Sequence, residues 1–385
     1  FTMAWLVSIL ALYGLGMSFA FLGTISVKLM PRLDIGESKF GTLISVYMFT
    51  SVIASLIIGV LLDSIGYKPI AIIGFLTVTG VILLFAYGKT YKMALIAAFL
   101  FGFGAMALNT AGNTIAPVVL FGGENPAAAQ NLGNVFFGLG LFLTPVIFSG
   151  LSQKTNFEKS VSVFAIIAII PLIFAIFASY PASQEAGFEL ANAVSLLGEG
   201  AVIIAAIALF FYIGLEMTFN NWLPTYGKAV IQDAGDVDDP DKVDAYSSRL
   251  LMYFGLFMMI GRLITSFIPA ITANGDWALA IAALGAGVII LYMTLTKSVF
   301  QSRVLASLAG LFFGPIFPTT VGITFAKFSP EVYGSVFGII FAVGLLGGVV
   351  LPKAVGNIAA GSSIQKSLRI LLPVCGLLVI FAILL

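Results

Sequence analysis

The sequence predicts an all-α membrane protein with twelve transmembrane helices in two six-helix bundles. Of the 385 residues, 60% are hydrophobic and only 9% are charged, and the mean hydropathy is +1.11. Apolar segments long enough to cross a bilayer recur along the whole chain. A long polar stretch after the sixth of these segments divides them into two groups of six.

Each span follows from a long apolar window bounded by polar or turn-forming residues. The first six are expected near 4–27, 40–62, 69–88, 93–121, 130–150 and 160–180, and the second six near 200–226, 248–270, 277–296, 302–326, 334–356 and 367–385. We therefore predict an amino-terminal bundle over 1–180, a cytoplasmic linker over 181–199 and a carboxy-terminal bundle over 200–385.

Composition argues against several classes of function. A formal net charge of +1 gives no reason to expect a nucleic-acid partner, and the absence of histidine removes the commonest metal ligand. The acidic stretch 227–247 lacks the spacing and closing glutamate of a calcium loop, so we expect a solvated loop there. Paired catalytic carboxylates, nucleophile–base couples and phosphate loops are not found in the sequence. We expect no metal, no cofactor and no enzymatic activity.

Residues 211–226 stand out because they place a carboxyl group at membrane depth. Glu216 is the one acidic residue that cannot be assigned to a loop or a helix end. A charge there costs roughly 2.5–3.5 kcal/mol on insertion scales, so the side chain should face the bundle interior or a wet cavity. Tyr212, Glu216 and Asn220 follow at i, i+4 and i+8 and share one helix face, with Trp222 close by. We expect this face to bind a solute; the alternative is a neutral, structural Glu216.

Two amides in the fourth span are further candidates for substrate binding. Asn109 and Asn113 are four residues apart on one helix face, and each amide offers both donors and an acceptor. Sugar hydroxyls need such partners because each one donates and accepts. The alternative is hydrogen bonding between helices. Asn134 is a weaker candidate of the same kind.

Aromatic and proline residues add less specific expectations. Trp222 is suited either to stacking on a sugar or to anchoring at the membrane interface, and the sequence leaves both open. Tyr13, Phe313 and Phe317 are expected to line the same cavity. Two prolines of the tenth span, at 315 and 318, interrupt backbone hydrogen bonding there, which suits a gating helix.

The two halves also align as weak repeats. Placing Gly104 on Gly314 aligns Thr110 with Thr320, and Pro145 matches Pro352 in the following span. Parallel six-span repeats are the arrangement of the major facilitator superfamily. The loop after the second span resembles that superfamily's signature, with Gly59, Leu61, Asp63, Gly66 and Lys68 at the matching spacing. The resemblance implies that Gly59, Asp63, Gly66 and Lys68 form a gating motif, although Ser64 and Tyr67 replace two usual arginines.

A closer resemblance covers most of the chain. The segments 108–113, 124–126, 130–134 and 211–216, then Gly261-Arg262, 317–319, 334–338 and Gly347-Gly348, are similar in order and spacing to the fucose–galactose–glucose/proton symporter branch. Members of that branch often carry acidic residues in spans one and four. Here the first span is uncharged, and Asn109 stands at the position in span four where the branch often has an acid. The resemblance therefore leaves Glu216 as the candidate for ion coupling.

The distribution of basic residues bears on orientation and substrate charge. With the Asp63 loop on the cytoplasmic side, as in the family, Lys68, Arg262 and Lys327 lie on that side and most other cations on the opposite side. The positive-inside rule predicts the reverse orientation. Arg262 is expected at the cytoplasmic end of the eighth span in a structural role. The absence of a deep Lys or Arg in the inferred cavity argues against strongly anionic substrates such as nitrate or phosphate.

These observations predict a multi-pass secondary transporter of the inner or plasma membrane that works by alternating access. The expected substrate is a neutral monosaccharide held by Asn109, Asn113, Asn220 and Glu216 at a central site, with a proton or sodium ion coupled through Glu216. The alternative is an exporter of lipophilic or drug-like compounds, for which an apolar cavity with one acid would also serve. A sensor that binds its ligand without transport is a third possibility.

Overall fold

The computed structural model describes residues 3–182, 189–235 and 239–385, and every regular element in these ranges is helical. Twelve helices there are long and apolar enough to cross a membrane, which confirms the predicted class and the number of spans. They are numbered α1 to α12: Ala4–Leu33, Glu37–Ile65, Tyr67–Tyr87, Tyr91–Val119, Pro126–Ser152, Phe157–Phe177, Gly200–Ala234, Pro240–Phe267, Gly275–Leu295, Val299–Phe325, Tyr333–Gly361 and Ile364–Leu384. Short helices and 3-10 turns lie between them at Leu120–Gly123, Leu190–Ser195, Leu196–Gly198, Pro269–Ala273 and Pro330–Val332.

The predicted solvated loop over 227–247 is mostly helix, which corrects the sequence interpretation. α7 continues to Ala234 and stops at Gly235, whose φ of 64° is the left-handed conformation that favours glycine at a helix end. α8 then begins at Pro240. Asp236 and Asp238 lie outside the described residues. Acidic side chains are compatible with a helix that projects beyond the bilayer, so polarity alone marks the end of a span and not the end of its helix.

The described residues form two compact units. The first unit comprises Phe1–Pro126, Phe136–Leu197 and Phe328–Ala342; the second comprises Ala127–Val135, Gly198–Lys327 and Val343–Leu385. Helices α5 and α11 each contribute residues to both units. The predicted domain boundaries at 180 and 200 divide the chain by sequence order, whereas these two units are groups of residues in contact. The predicted boundaries therefore stay a prediction.

Each unit has an aromatic core. In the first unit, Phe21 contacts the rings of Phe85, Phe101 and Phe164, with ring centroids 5.7 to 6.1 Å apart. In the second unit, Phe313 packs on Phe219 at 4.7 Å and on Phe254 at 5.3 Å. Phe313 is fully buried in this core. Its predicted role in lining a cavity is therefore replaced by a packing role.

Candidate functional site

The predicted gating motif brings a carboxylate to the start of a helix. Asp63 lies near the end of α2 and is only 5% exposed. Its Oδ1 accepts a hydrogen bond from the amide of Gly334 at 2.8 Å, and its Oδ2 accepts one from the amide of Ser335 at 2.7 Å. Those amides belong to the first turn of α11, where backbone N–H groups have no helical acceptor and the helix dipole favours an anion. Asp63 therefore caps α11 within the first unit.

Glycines allow the backbones to meet at this contact. A Cβ added to Gly59 would collide with the Gly334 carbonyl, and one added to Gly338 would collide with the Ser55 carbonyl. Gly66 ends α2 with a φ of 87°, a left-handed value that other residues rarely adopt. Lys68 is exposed. Gly59, Asp63 and Gly66 thus join α2 to the next helix and to α11, while Lys68 points away from the buried contact.

The predicted amides of the first unit are buried and bonded to each other. Asn109 is 1% exposed and Asn113 is fully buried. The Asn113 side-chain amide donates to the Asn109 side-chain oxygen at 2.8 Å and to its backbone carbonyl at 3.0 Å. The Asn109 amide approaches the Met106 sulfur at 3.7 Å. Part of the hydrogen-bonding capacity expected for a sugar is therefore used within α4 itself.

The first unit also contains an apolar cavity of about 330 Å³. Leu108, the residue before Asn109, lines this cavity, but neither of the two amides does. Tyr13 and Met17 of α1 line it, together with Phe75, Leu108 and side chains of α6 around Pro171. Tyr13 thus lines an apolar cavity whose lining includes none of the predicted binding residues, and its place in a shared substrate cavity stays a prediction. The surface of that cavity is almost entirely hydrocarbon.

The predicted polar face of α7 lies in the second unit. Tyr212 is fully buried, whereas Glu216, Asn220 and Trp222 are partly exposed. The Trp222 indole donates from Nε1 to the Pro352 carbonyl at 3.1 Å and packs its ring beside Gly356. Trp222 is therefore held against α11. Glu216 and Asn220 present their polar groups one helical turn apart.

Arg262 of α8 is buried inside the second unit. It is 1% exposed, and the expectation that the inferred cavity holds no cation stays a prediction. Its Nε donates to the Gly314 carbonyl at 2.9 Å, and its NH1 donates to the Asn134 carbonyl at 3.0 Å. Its guanidinium also interacts electrostatically with Glu216. The burial of Arg262 could not be predicted from the sequence, because an arginine near the end of an apolar span normally extends its charged group to the interface.

The tenth span is broken, as its prolines predict. α10 consists of two helical pieces, Val299–Phe313 and Ile316–Phe325, separated at Gly314 and Pro315. Phe317 is 7% exposed and lies within the second piece. The break places backbone carbonyls beside α7 and α8.

Sequence reasoning missed the buried amides at the start of α5. Gln130 and Asn131 are fully buried. The Asn131 amide donates to Thr319 Oγ1 at 3.0 Å, while its Oδ1 has no hydrogen-bond donor within the described residues. Asn134 donates from its side chain to the Gln130 carbonyl at 2.9 Å. The signal was present in the sequence, since two adjacent amides inside an apolar span are costly unless they find partners.

Comparison with known proteins places this fold in a family. The sequence profile of the Major Facilitator Superfamily matches residues 4–352, whereas no curated protein matches the chain. Among solved structures, a variant of the E. coli fucose:proton symporter FucP is similar with a TM-score of 0.77, 18% identity and 98% of each chain covered. FucP in the outward conformation gives a TM-score of 0.77 at 17% identity, again over 98% of each chain. The human organic anion transporter MFSD10 gives 0.76 at 14% identity over 99% of each chain.

These structural similarities show the fold, and the profile match over most of the sequence shows the family. The twelve apolar helices agree with both. The chain is a multi-pass membrane transporter that belongs to the major facilitator superfamily.

Proposed function

We propose that this protein moves a neutral monosaccharide across the inner or plasma membrane by alternating access, coupled to a proton or sodium gradient. The observation that carries the proposal is Glu216, an acidic residue inside a membrane-spanning helix and one helical turn before Asn220. Carboxyl groups at such depth are costly and commonly serve ion pathways. The fold shared with a fucose:proton symporter supports the same substrate class.

The first unit supplies further polar groups for the proposed substrate. Asn109 and Asn113 are buried amides on one face of α4. Their mutual hydrogen bond of 2.8 Å can be exchanged for bonds to a hydroxyl group, because each amide both donates and accepts. We propose that they contribute to sugar binding together with Glu216 and Asn220, and that Tyr212 and Trp222 position that face of α7.

The buried Arg262 does not make an anionic substrate the better proposal. The Arg262 guanidinium donates to two backbone carbonyls and interacts with the Glu216 carboxyl group. A guanidinium that is 1% exposed and donates to two backbone carbonyls is engaged inside the protein, so we do not assign it to an anionic substrate. A neutral solute therefore remains the proposed substrate.

Uptake into proteoliposomes tests the proposal. Labelled glucose, galactose and fucose are offered under an imposed proton gradient, a sodium gradient or none, to wild type, Glu216→Gln and the control Glu199→Gln. Glu199 is the exposed residue that precedes α7, so its change repeats the chemistry outside the membrane. We expect saturable uptake driven by one gradient, with the driven component lost in Glu216→Gln and retained in the control.

Other outcomes contradict defined parts of the proposal. Gradient-driven accumulation that persists in Glu216→Gln moves the coupling to another group. Sugar binding without flux indicates a sensor. Absence of sugar flux under every gradient, in protein that remains folded, contradicts the sugar proposal itself.

A second candidate is export of lipophilic compounds, which the apolar cavity of about 330 Å³ favours. A lipophilic cation or a sugar that binds the folded protein raises its melting temperature, by an amount that grows with ligand concentration over Kd. Stabilisation by lipophilic cations and not by sugars, measured in detergent, would place this candidate first.

A further inference from the structure

The positive charges of residues 1–180 gather at one end of their helices. Eight basic residues lie in this range, and seven of them flank the connections from α1 to α2, α3 to α4 and α5 to α6: Lys28, Arg32, Lys39, Lys89, Lys92, Lys154 and Lys159. Asp63 and Lys68 lie at the opposite end, where α2 meets α3. The acids at the basic end are Asp34, Glu37 and Glu158, so positive charge is in excess there.

Two cations of α1 bring these connections together. The NH1 group of Arg32 forms an ion pair with Glu158 Oε1 at 2.7 Å, and its NH2 group donates to the Ala86 carbonyl at 3.2 Å. The Lys28 ammonium donates from Nζ to the Ser152 carbonyl at 3.0 Å. The ends of α1, α3 and α5 and the start of α6 are therefore neighbours in the first unit.

Three exposed lysines lie close to these contacts. Lys89, Lys154 and Lys159 each stand within three residues of a residue that Arg32 or Lys28 contacts, and all three are exposed. Within the part of the chain that the structure describes, none of the three forms an ion pair. We call Lys28, Arg32, Lys89, Lys154 and Lys159 the basic patch. Its three exposed ammonium groups are available to an anion from outside the protein.

The position of the basic patch along the helices is that of the lipid headgroups. Helix α1 has 30 residues and is about 45 Å long, whereas the hydrocarbon core of a bilayer is about 30 Å thick. Lys28 and Arg32 occupy the last two turns of α1, near or beyond the boundary of that core. Tyr87 and Tyr91 flank Lys89 at the same end, and tyrosine is enriched at the membrane interface. An exposed cation at this level faces the phosphate groups of lipids.

Helix α6 continues the basic patch with an apolar surface. Lys159, Ile166 and Ile173 follow at intervals of seven residues and share one helix face. Ile166, Ile170 and Ile173 are exposed, as side chains that contact acyl chains are in a membrane-spanning helix. A phospholipid has the same order, with its charged phosphate above its acyl chains. This order favours a lipid over a free anion, which needs no apolar surface.

We propose that the basic patch binds the headgroup of an anionic phospholipid, whose acyl chains lie along the exposed face of α6. Lys89, Lys154 and Lys159 contact the headgroup, because an ammonium group binds phosphate as a point charge and needs no fixed geometry. Arg32 is already held by Glu158 and a backbone carbonyl, so it fixes the ends of α3 and α6 beside each other. The inference is independent of which solute the protein transports.

Lipid binding to the full chain in an uncharged detergent tests the proposal. Dioleoylphosphatidylglycerol and dioleoylphosphatidylcholine carry the same acyl chains but differ in headgroup charge, and native mass spectrometry measures the apparent Kd of each. We expect the phosphatidylglycerol to bind at least about tenfold more tightly, since each lysine near an anionic lipid surface contributes about a fivefold gain in affinity. Inorganic phosphate should not displace it, because phosphate alone makes no contact with the apolar face.

A triple variant removes the exposed charges of the basic patch. Lys89→Gln, Lys154→Gln and Lys159→Gln together should abolish most of the preference for phosphatidylglycerol. Arginine at the same three positions keeps the charge and should keep the preference. All three side chains are exposed, and the melting temperature in detergent checks that each variant is folded.

The matched control removes the same charge from the second unit. Lys297→Gln, Lys353→Gln and Lys366→Gln change exposed lysines of that unit, and together they should leave the preference near that of wild type. Equal affinity of wild type for the two lipids would overturn the inference. So would a preference that persists without the three patch lysines, or one that falls equally in the control. Displacement of the phosphatidylglycerol by inorganic phosphate would also overturn it, since the patch would then serve a free anion.

Discussion

At the scale of single residues, buried charges in this protein are paired with backbone groups at helix ends and breaks. Asp63 accepts two amides at the start of α11, and Arg262 donates to the carbonyl of Gly314 at the break in α10. These backbone groups have no partner within their own helix. A side-chain charge and an unsatisfied backbone dipole therefore stabilise each other inside the bundle.

We expect Asp63→Asn to lower the stability of the folded protein by about 1–3 kcal/mol, because the two amide bonds lose their charged acceptor. The measurement is the melting temperature in detergent. Ser64→Ala is the control, since the Ser64 hydroxyl bonds only within its own helix, to the Leu61 carbonyl. A melting temperature for Asp63→Asn that equals that of the control would contradict the capping role.

At the scale of elements, glycines set how closely the helices cross. In the first unit, Gly59 of α2 meets Gly334 and Gly338, which are four residues apart on α11. In the second unit, Gly310 and Gly314 bring α10 against the carbonyls of Phe254 and Met258 in α8. Small residues at this spacing let helix backbones approach in a membrane, where the hydrophobic effect between helices is absent.

Gly59→Ala should therefore be far more damaging than an equal change elsewhere. The new methyl group would collide with backbone atoms, which cannot rotate away as a flexible side chain can. Gly80→Ala in α3 is the matched control, because a Cβ there meets no atom within 4 Å and alanine is the better helix former. We expect a clear drop in melting temperature for Gly59→Ala and none for Gly80→Ala. Equal melting temperatures would contradict the close crossing.

At the scale of the whole molecule, the two compact units do not coincide with the two halves of the sequence. The start of α5, Ala127–Val135, belongs to the second unit, and Phe328–Ala342 belongs to the first. The Asp63 carboxylate finds its two amides in that second segment. The amino-terminal half alone therefore lacks Phe328–Ala342 of the first unit, and the carboxy-terminal half alone lacks Ala127–Val135 of the second.

A chain divided within the linker tests this organisation. The piece 1–180 expressed alone should be unstable in detergent, because Asp63 lacks its amide partners and Gly59 lacks its packing partner. Coexpression with 200–385 should restore a monodisperse complex in size-exclusion chromatography. Asp63→Asn in the 1–180 piece should reduce the amount of monodisperse complex that forms on coexpression. A stable 1–180 piece that does not bind the other half would contradict the prediction.

The twelve spans and the all-α class could be predicted from the sequence alone. Bilayer crossing depends on the summed hydropathy of about 20 consecutive residues, which is a local property of the chain. The turn at Gly66 and the break in α10 could also be predicted, because turn conformation and the loss of a backbone donor at proline are local effects. Glu216 could be singled out because it is a charged residue inside an apolar span.

The contacts that these residues make depend on the tertiary structure. Arg262 looked like an interfacial residue, and its burial follows from the free carbonyl at Gly314, fifty-two positions away along the chain. Phe313 joined an aromatic core, and Asn109 and Asn113 bonded to each other, because packing chooses among partners that hydropathy treats as equal. The sequence shows which polar groups enter the membrane, whereas the positions of neighbouring helices decide how each one is satisfied.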